Sequence, residues 1–256
     1  MQREKIETVI ITGGEVSHRY FSCSIADNYK VKKIYKIHSG LPDIEYAMKQ
    51  FVDYQECDKE ILAREVSLRR KYQRELLLPK GEDYPLTEIS HFKKGGMINE
   101  KKTISEIRDI RPSHILLYGA PLLSNEFLKY INCPIINLHM GISAKYRGGR
   151  GNYWAFFNND YNNVGYTLHH VTDRIDMGRI IHVGRYKNYA KEDNPQRITI
   201  ILLQDAVSKL IELIPFIQNR EEFYDSTNFP RNTSNKEFTL EHLKKIYTDF
   251  NLLKHI

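Results

Sequence analysis

The chain has 256 residues, of which 41% are hydrophobic and 27% charged. That is long enough to bury the core of one sizeable α/β domain and too rich in apolar residues for a disordered or fibrous chain. The formal net charge of +6 suits a partner carrying phosphate, but the lysines are spread along the chain, so nucleic acid is not the expected ligand.

The three cysteines, Cys23, Cys57 and Cys133, have spacings that suggest neither a disulfide framework nor a tetrahedral metal site, and no metal is expected. No apolar run approaches the roughly 18 residues of a membrane span, and the apolar part of MQREKIETVIITGG is too short for a signal peptide. The expectation is a cytoplasmic protein with no membrane partner.

In chain order, ETVIITGG reads as a first parallel strand closed by Gly13 and Gly14 and leading into a helix. VKKIYKI (Val31 to Ile37) reads as the second strand, with a break at Gly40 to Pro42. From Asp43 to Leu78 the apolar residues Phe51, Ile61, Val66, Leu68, Tyr72 and Leu76 recur at helical spacing, which predicts one long helix or two packed across the sheet. The charged stretch REVSLRRKYQRE within it reads as a solvated face. Next come a helix over Thr103 to Arg111, a buried strand over His114 to Gly119, a short helix over Ser124 to Tyr130 with Ser124 as N-cap, and a strand over Pro134 to His139.

GRGNYWAFFNND predicts a helix in which Trp154 packs on the sheet. NVGYTLHHVTDRIDMGRIIHVGRY predicts a strand, a turn around Asp173 to Gly178, and a return strand. NPQRITIILLQDAVSKLIELIPFIQN is an amphipathic helix. After Arg220 the polar STNFPRNTSNK reads as a loop and TLEHLKKIYTDF as a final short helix. Strands alternating with helices define a doubly wound, mostly parallel Rossmann-like α/β sheet with helices on both faces. Ligands of such sheets bind beyond the carboxyl ends of the strands, which places YGAPLL and NLHMG on one functional edge.

Asn137 and His139 lie two apart at a strand end, so their side chains project to the same side. An amide donor beside an imidazole can stabilise an oxyanion and manage a proton, a combination that acyl transfer to an amine requires. By itself Asn-x-His more often caps a strand end or satisfies a loop than it catalyses a reaction. Asp176, in the Gly-terminated DRIDMG, is the candidate for a third group. In the intervening loop Gly148, Gly149 and Gly151 permit close backbone approach or positive φ, while Lys145, Tyr146 and Arg147 suit an anionic or aromatic part of a substrate.

Together, INLHMGISAKYRGGRGNYWAFFNND and VGYTLHHVTDRIDMGRII resemble the signature of the formyltransferases that use N10-formyltetrahydrofolate. That family includes glycinamide ribonucleotide, methionyl-tRNA and sugar N-formyltransferases, and the resemblance spans roughly Ile115 to Val183. It implies a formyltransferase-type fold with N10-formyltetrahydrofolate as co-substrate. Asn137 would hydrogen-bond the formyl oxygen, His139 would stabilise the tetrahedral intermediate and shuttle its proton, and Asp176 would keep the imidazole charged and help deprotonate the attacking amine. YGAPLLSNEF is similar to the family's folate pocket, so Ala120, Pro121, Leu122 and Leu123 would bind the pterin through their backbone. Thr172, Asp173 and Asp176 would close its other side.

Three departures narrow the acceptor. Met140 stands where the family usually has proline after the His, TGGEVSHRYF lacks the Gly-Asn-rich phosphate loop of the purine enzyme, and the chain after Arg220 is too short for the tRNA enzyme's second domain. The resemblance then implies a catalytic domain over 1–220, a short extension over 221–256, and an amino sugar acceptor, nucleotide-linked. Lys145, Tyr146, Arg147, Gly148, His18 and Arg19 are the candidate substrate contacts. Glycinamide ribonucleotide or methionyl-tRNA formylation, or a non-catalytic folate-binding relative, are the alternatives. A homodimer through the strand after Asp176 and the last helix is as admissible as a monomer.

Overall fold

The structure, a computed structural model, describes residues 6–38, 40, 41, 43–77, 87–217, 233 and 235–252. Its strands are β1 (Glu7–Thr12), β2 (Lys30–Ile37), β3 (Glu88–Phe92), β4 (His114–Tyr118), β5 (Ile135–His139), β6 (Gly165–His170) and β7 (Ile180–Arg185). They form one seven-stranded sheet in the order β3-β2-β1-β4-β5-β6-β7. The pairs from β3 to β5 are parallel, and β5, β6 and β7 pair antiparallel.

The helices are α1 (Val16–Ala26), α2 (Asp43–Lys49), α3 (Lys59–Leu77), α4 (Lys101–Ile110), α5 (Asn125–Tyr130), α6 (Gly151–Phe157), α7 (Pro195–Leu213) and α8 (Leu240–Asp249). Central strands read as apolar runs because both of their faces are covered. Ile10, Leu116, Ile136 and Leu138 point into a core shared with Phe21, Leu62 and Leu203. Val9, Ile11, Ile115, Leu117 and Ile135 point the other way, onto Ile104, Ile107 and Phe127. Asn137 and His139 follow the parity of Ile135, so the polar pair leaves β5 from the second face just as the strand reaches its carboxyl end.

Most expected elements form within a residue or two of their predicted bounds. Ser124 caps α5, its hydroxyl accepting from Phe127 N at 3.1 Å. Asn194 caps α7, accepting from Arg197 N at 3.1 Å. The 43–78 segment is two helices, α2 and α3, and α3 buries Ile61, Val66 and Tyr72 on one face. One strand was not predicted: β3 is an edge strand whose EISHF is partly or fully exposed along its length, so it carries no apolar run. Pro42, Leu78 and most of the predicted loop STNFPRNTSNK lie outside the described residues.

The carboxyl-terminal helix shares the first core. Phe238, Leu240, Leu243, Ile246 and Tyr247 are fully buried there. A buried carboxylate ties this segment down: Glu65 of α3 accepts from Tyr153 Oη of α6 at 2.8 Å, Gln196 Nε2 of α7 at 2.7 Å and Tyr247 Oη of α8. Its oxygens are therefore satisfied inside the protein, the condition under which a buried charge is tolerated. Among the described residues no helix is long and apolar enough to cross a membrane.

Candidate active site

A cavity of about 620 Å3 opens beyond the carboxyl ends of β4 and β5. One wall is the loop after β4, with Ala120, Pro121, Leu122 and Leu123, and the facing wall is the turn after β6, with Thr172, Arg174, Ile175 and Asp176. Gly119 starts the first loop at φ +61°, a conformation that L side chains rarely adopt. Asn99 then fixes the loop from outside: its amide donates to Leu122 O at 2.9 Å and its carbonyl accepts from Ser124 N at 2.8 Å. Leu122 is 66% exposed, presenting an apolar face to the cavity. Thr172 ties the opposite turn through its hydroxyl, which accepts from Arg174 N at 3.2 Å. Of the residues expected around a pterin, Asp173 alone does not line the cavity; it is exposed.

Asn137, His139 and Asp176 converge at the base of the cavity. His139 Nδ1 is 3.3 Å from Asp176 Oδ2, and Asn137 Nδ2 is 3.3 Å from Asp176 Oδ1. Asp176 is in the left-handed region, at φ 50°, which Asp tolerates better than most residues. Its turn closes on Gly178, where a Cβ would come within 1.7 Å of His170 O. Burial raises the Asp176 pKa, but the nearby charge of His139, the hydrogen bond and charge of His169 and the Gly148 N–H outweigh it, and the carboxyl is held down at about 2.

His139 Nε2 lies 3.0 Å from Tyr146 O, so both ring nitrogens of His139 face oxygen acceptors. His169, which the sequence reading passed over, is 3.3 Å from Asp176 Oδ1 through Nε2 and 2.8 Å from His170 O through Nδ1. The Asn137 amide is also 3.1 Å from His169 Nε2, because Asn137 and His169 are direct cross-strand partners on β5 and β6. The signal was present in the quoted TLHH. What the sequence did not supply was which strand lies against β5.

The loop between His139 and α6 is drawn tightly over the imidazole. A Cβ on Gly141 would lie 2.7 Å from His139 Nε2, and one on Gly151 would lie 2.8 Å from Tyr146 O. Gly148, at φ +86°, gives its N–H to Asp176 Oδ2 at 2.9 Å. Thr233 holds the far side of this loop: Gly149 N donates to Thr233 O at 2.8 Å, and Thr233 N and Oγ1 donate to Arg147 O at 3.1 and 2.9 Å.

The expected substrate contacts divide. Gly148 lines the cavity, whereas Lys145, Tyr146, Arg147, His18 and Arg19 do not. Lys145 is exposed, and the Tyr146 hydroxyl donates to Asp160 at 2.9 Å. His18 is a correction to the sequence reading. Its Nδ1 accepts from Glu15 N at 3.1 Å at the start of α1, and its ring fills the space that Cβ atoms on Gly13 and Gly119 would need. Burial, reinforced by Lys36 and Arg69, pushes its pKa down to about 4, so it caps the helix as a neutral ring. Trp154 packs edge-on against Phe157 and Phe238, at centroid distances of 5.9 and 5.2 Å, and against His242 of α8 at 4.9 Å, so its ring contacts are with its own helix and the carboxyl-terminal segment and not with the sheet as expected. Asn152, Tyr153, Thr199, Thr233, Arg150 and Arg174 line the cavity without having been singled out.

A sheet with five parallel strands, closed by an antiparallel pair and carrying a pocket at its carboxyl edge, is an α/β fold of the formyltransferase type. It is similar to a sugar N-formyltransferase from a Shewanella species, at 13% identity over 98% of this chain and 82% of that one, with a TM-score of 0.54. It is also similar to the phosphoribosylglycinamide formyltransferase of Coxiella burnetii (16% identity, 90% and 99% covered, TM-score 0.53). A third likeness is to a 4-N formyltransferase from Francisella tularensis (14% identity, 89% and 76% covered, TM-score 0.52). At these identities the likeness is one of fold. No curated protein matches the chain. Residues 72–213 match the family described as Formyl transferase, and since that is more than half of its length, the chain belongs to this family of formyl-transferring enzymes.

Proposed function

We propose that the protein moves the formyl group of N10-formyltetrahydrofolate to the amine of an amino sugar, nucleotide-linked, with Asn137, His139 and Asp176 as the catalytic residues. The observation that carries this reading is that the three side chains meet at one end of a cavity whose wall is the Ala120 to Leu123 loop. The pterin lies between that loop and the turn from Thr172 to Asp176, bound by backbone groups and the apolar face of Leu122.

The acceptor amine attacks the formyl carbon, forming the new C–N bond and a tetrahedral intermediate. The oxyanion accepts hydrogen bonds from the Asn137 amide and from His139 Nε2–H, which exchange their present partners for it. His139 passes its proton to N10 as the C–N10 bond breaks, and Asp176 receives the proton that the amine sheds.

The first turn favours the sugar over glycinamide ribonucleotide. Its Glu15 N–H is spent on His18, and the same ring fills the space beside Gly13, which leaves that turn less room for a phosphate. The catalytic unit is 1–220, and the extension 221–256 supports its loop through Thr233. The test is to mix the protein with N10-formyltetrahydrofolate and a panel of amino-sugar nucleotides while following tetrahydrofolate release. Turnover confined to glycinamide ribonucleotide or charged tRNA refutes the sugar acceptor; folate binding with no turnover on any amine refutes catalysis.

A further inference from the structure

Besides the Ala120 to Leu123 loop and the turn after β6, a third part of the cavity wall is made by Gly148, Arg150, Asn152, Tyr153, Thr199 and Thr233. The polar side chains of this wall differ in what they have left to offer. Thr199 Oγ1 donates to Pro195 O at 2.7 Å, Thr233 Oγ1 to Arg147 O at 2.9 Å, and Tyr153 Oη to Glu65 at 2.8 Å, so each hydroxyl proton is used. Asn152 is only 3% exposed, and its carbonyl accepts from Gly165 N at 2.8 Å. That bond fixes the amide's orientation, because a flipped amide would set donor against donor. Its Nδ2, however, has no partner among the described residues.

Arg150 is in the same position. Its guanidinium is stacked on Phe51 at 4.4 Å, Phe238 at 5.3 Å and Tyr153 at 5.9 Å, while its buried Nε has no acceptor among the described residues. Aromatic faces stabilise a cation without using its N–H donors. The buried carboxylate Glu65, which Tyr153 contacts, has its oxygens already taken by Tyr153, Gln196 and Tyr247. Arg150 holds this place at φ 60°, a conformation that L side chains other than Asn and Asp rarely adopt. The unused capacity of this wall is thus a cation and a buried amide, donors both, and burying such groups unpaired is costly unless a ligand supplies acceptors.

We infer that Arg150 and Asn152 form the subsite for a phosphoryl oxyanion of the acceptor substrate. This rests on the reading of the cavity as the site of formyl transfer. Arg150 presents its fork to the phosphoryl oxygens and Asn152 Nδ2 donates to one of them, which orients the acceptor with its amine toward His139.

The experiment is calorimetric titration of the intact protein with inorganic pyrophosphate, with acetate as a carboxylate comparison. Arg150→Met keeps the stem on its aromatic faces and removes the cation. Asn152→Asp keeps the acceptor for Gly165 N and replaces the unused donor by an oxygen. Lys93→Ala removes an exposed charge remote from this wall, and thermal unfolding checks that each variant folds. Pyrophosphate binds wild type and Lys93→Ala alike, binds Arg150→Met and Asn152→Asp about tenfold more weakly or worse, and outcompetes acetate.

Absence of pyrophosphate binding to wild type, equal affinity in all four proteins, or acetate binding as tightly as pyrophosphate overturns the inference. A protein that shows the expected pattern but releases no tetrahydrofolate with any acceptor refutes formyl transfer and leaves the subsite standing. One that turns over a phosphorylated acceptor with an unchanged KM in Arg150→Met refutes the subsite and leaves formyl transfer standing.

Discussion

His169 Nε2 and Asp176 Oδ1 are 3.3 Å apart, on the side of the carboxylate away from His139. Asp176 is thus held between two imidazoles, one from β5 and one from β6, and His169 itself is anchored through Nδ1 to His170 O at 2.8 Å. Under the proposed mechanism His169 is a positioning residue: it sets the carboxylate plane that in turn orients His139. Replacing it by Leu keeps the volume and removes both hydrogen bonds. The expected outcome is a fall in kcat of about 10²-fold, the cost of a small misplacement in a catalytic group, with little change in the KM for the folate. His169→Gln, which retains a donor, recovers part of the loss. Steady-state rates of tetrahydrofolate release check this; a proportional rise in folate KM with unchanged kcat would count against it.

Asp176→Asn removes the charge at the centre of the cluster. As the proposed proton acceptor its loss lowers kcat by about 10²- to 10⁴-fold. It also changes the dependence of stability on pH. The Asp176 carboxyl is held at about 2 in the folded protein, against 3.8 as its ordinary value. A carboxyl with a depressed folded pKa adds stability that is present above its ordinary value and lost as the pH falls through the folded one. Thermal unfolding of wild type should therefore weaken between pH 3.8 and 2 more steeply than that of Asp176→Asn. Parallel curves would show that the carboxylate contributes nothing there.

The end of β5 was legible in the sequence because the apolar run that predicts a buried strand breaks off at Asn137 and His139, and period-two alternation places them together. Asp176 was legible only as a polar residue in a Gly-terminated turn; its distance to His139 depends on how β6 returns beside β5. His169 escaped for the same reason, since its role arises from antiparallel register with Asn137 and not from any local pattern. Thr233 and Arg150 were further out of reach, for a single backbone pairing across the loop and a guanidinium stacked on Phe51 and Phe238 are tertiary facts. The helix-capping role of His18 was hidden too: near a Gly-Gly turn a histidine reads as an anion ligand until its ring is found filling the turn.

Gly141→Ala tests how closely the loop is fitted to the imidazole. The added methyl would meet His139 Nε2 at 2.7 Å and Gly151 Cα at 3.0 Å, and Gly151 is backbone that cannot yield without moving α6. Overpacking of this kind costs about 1–3 kcal/mol. The variant should melt several degrees below wild type and lose activity disproportionately, because the ring is displaced from Asp176. A thermal melt together with a single-turnover assay reads both effects, and an unchanged rate would show that the loop tolerates the shift.

The last prediction concerns what couples the carboxyl-terminal helix to the rest. Glu65 is 9% exposed and is the common acceptor for Tyr153, Gln196 and Tyr247. Glu65→Leu preserves apolar volume but leaves two hydroxyls and an amide facing a side chain with no acceptor, at a cost of about 1–3 kcal/mol for each donor that finds no other partner. Glu65→Gln keeps one acceptor oxygen and should lose less. The damage should concentrate on α8, since Tyr247 is its main polar tie to α3, so amides of Ile246 and Tyr247 should exchange faster in Glu65→Leu while those of Ile10 and Leu116 stay protected. If Glu65→Leu is as stable as wild type, the carboxylate is not what secures the extension, and the Leu240 N–H bond to Asp53, the Lys244–Asp58 ion pair and the apolar contacts through Phe238, Leu243 and Ile246 hold it without Glu65.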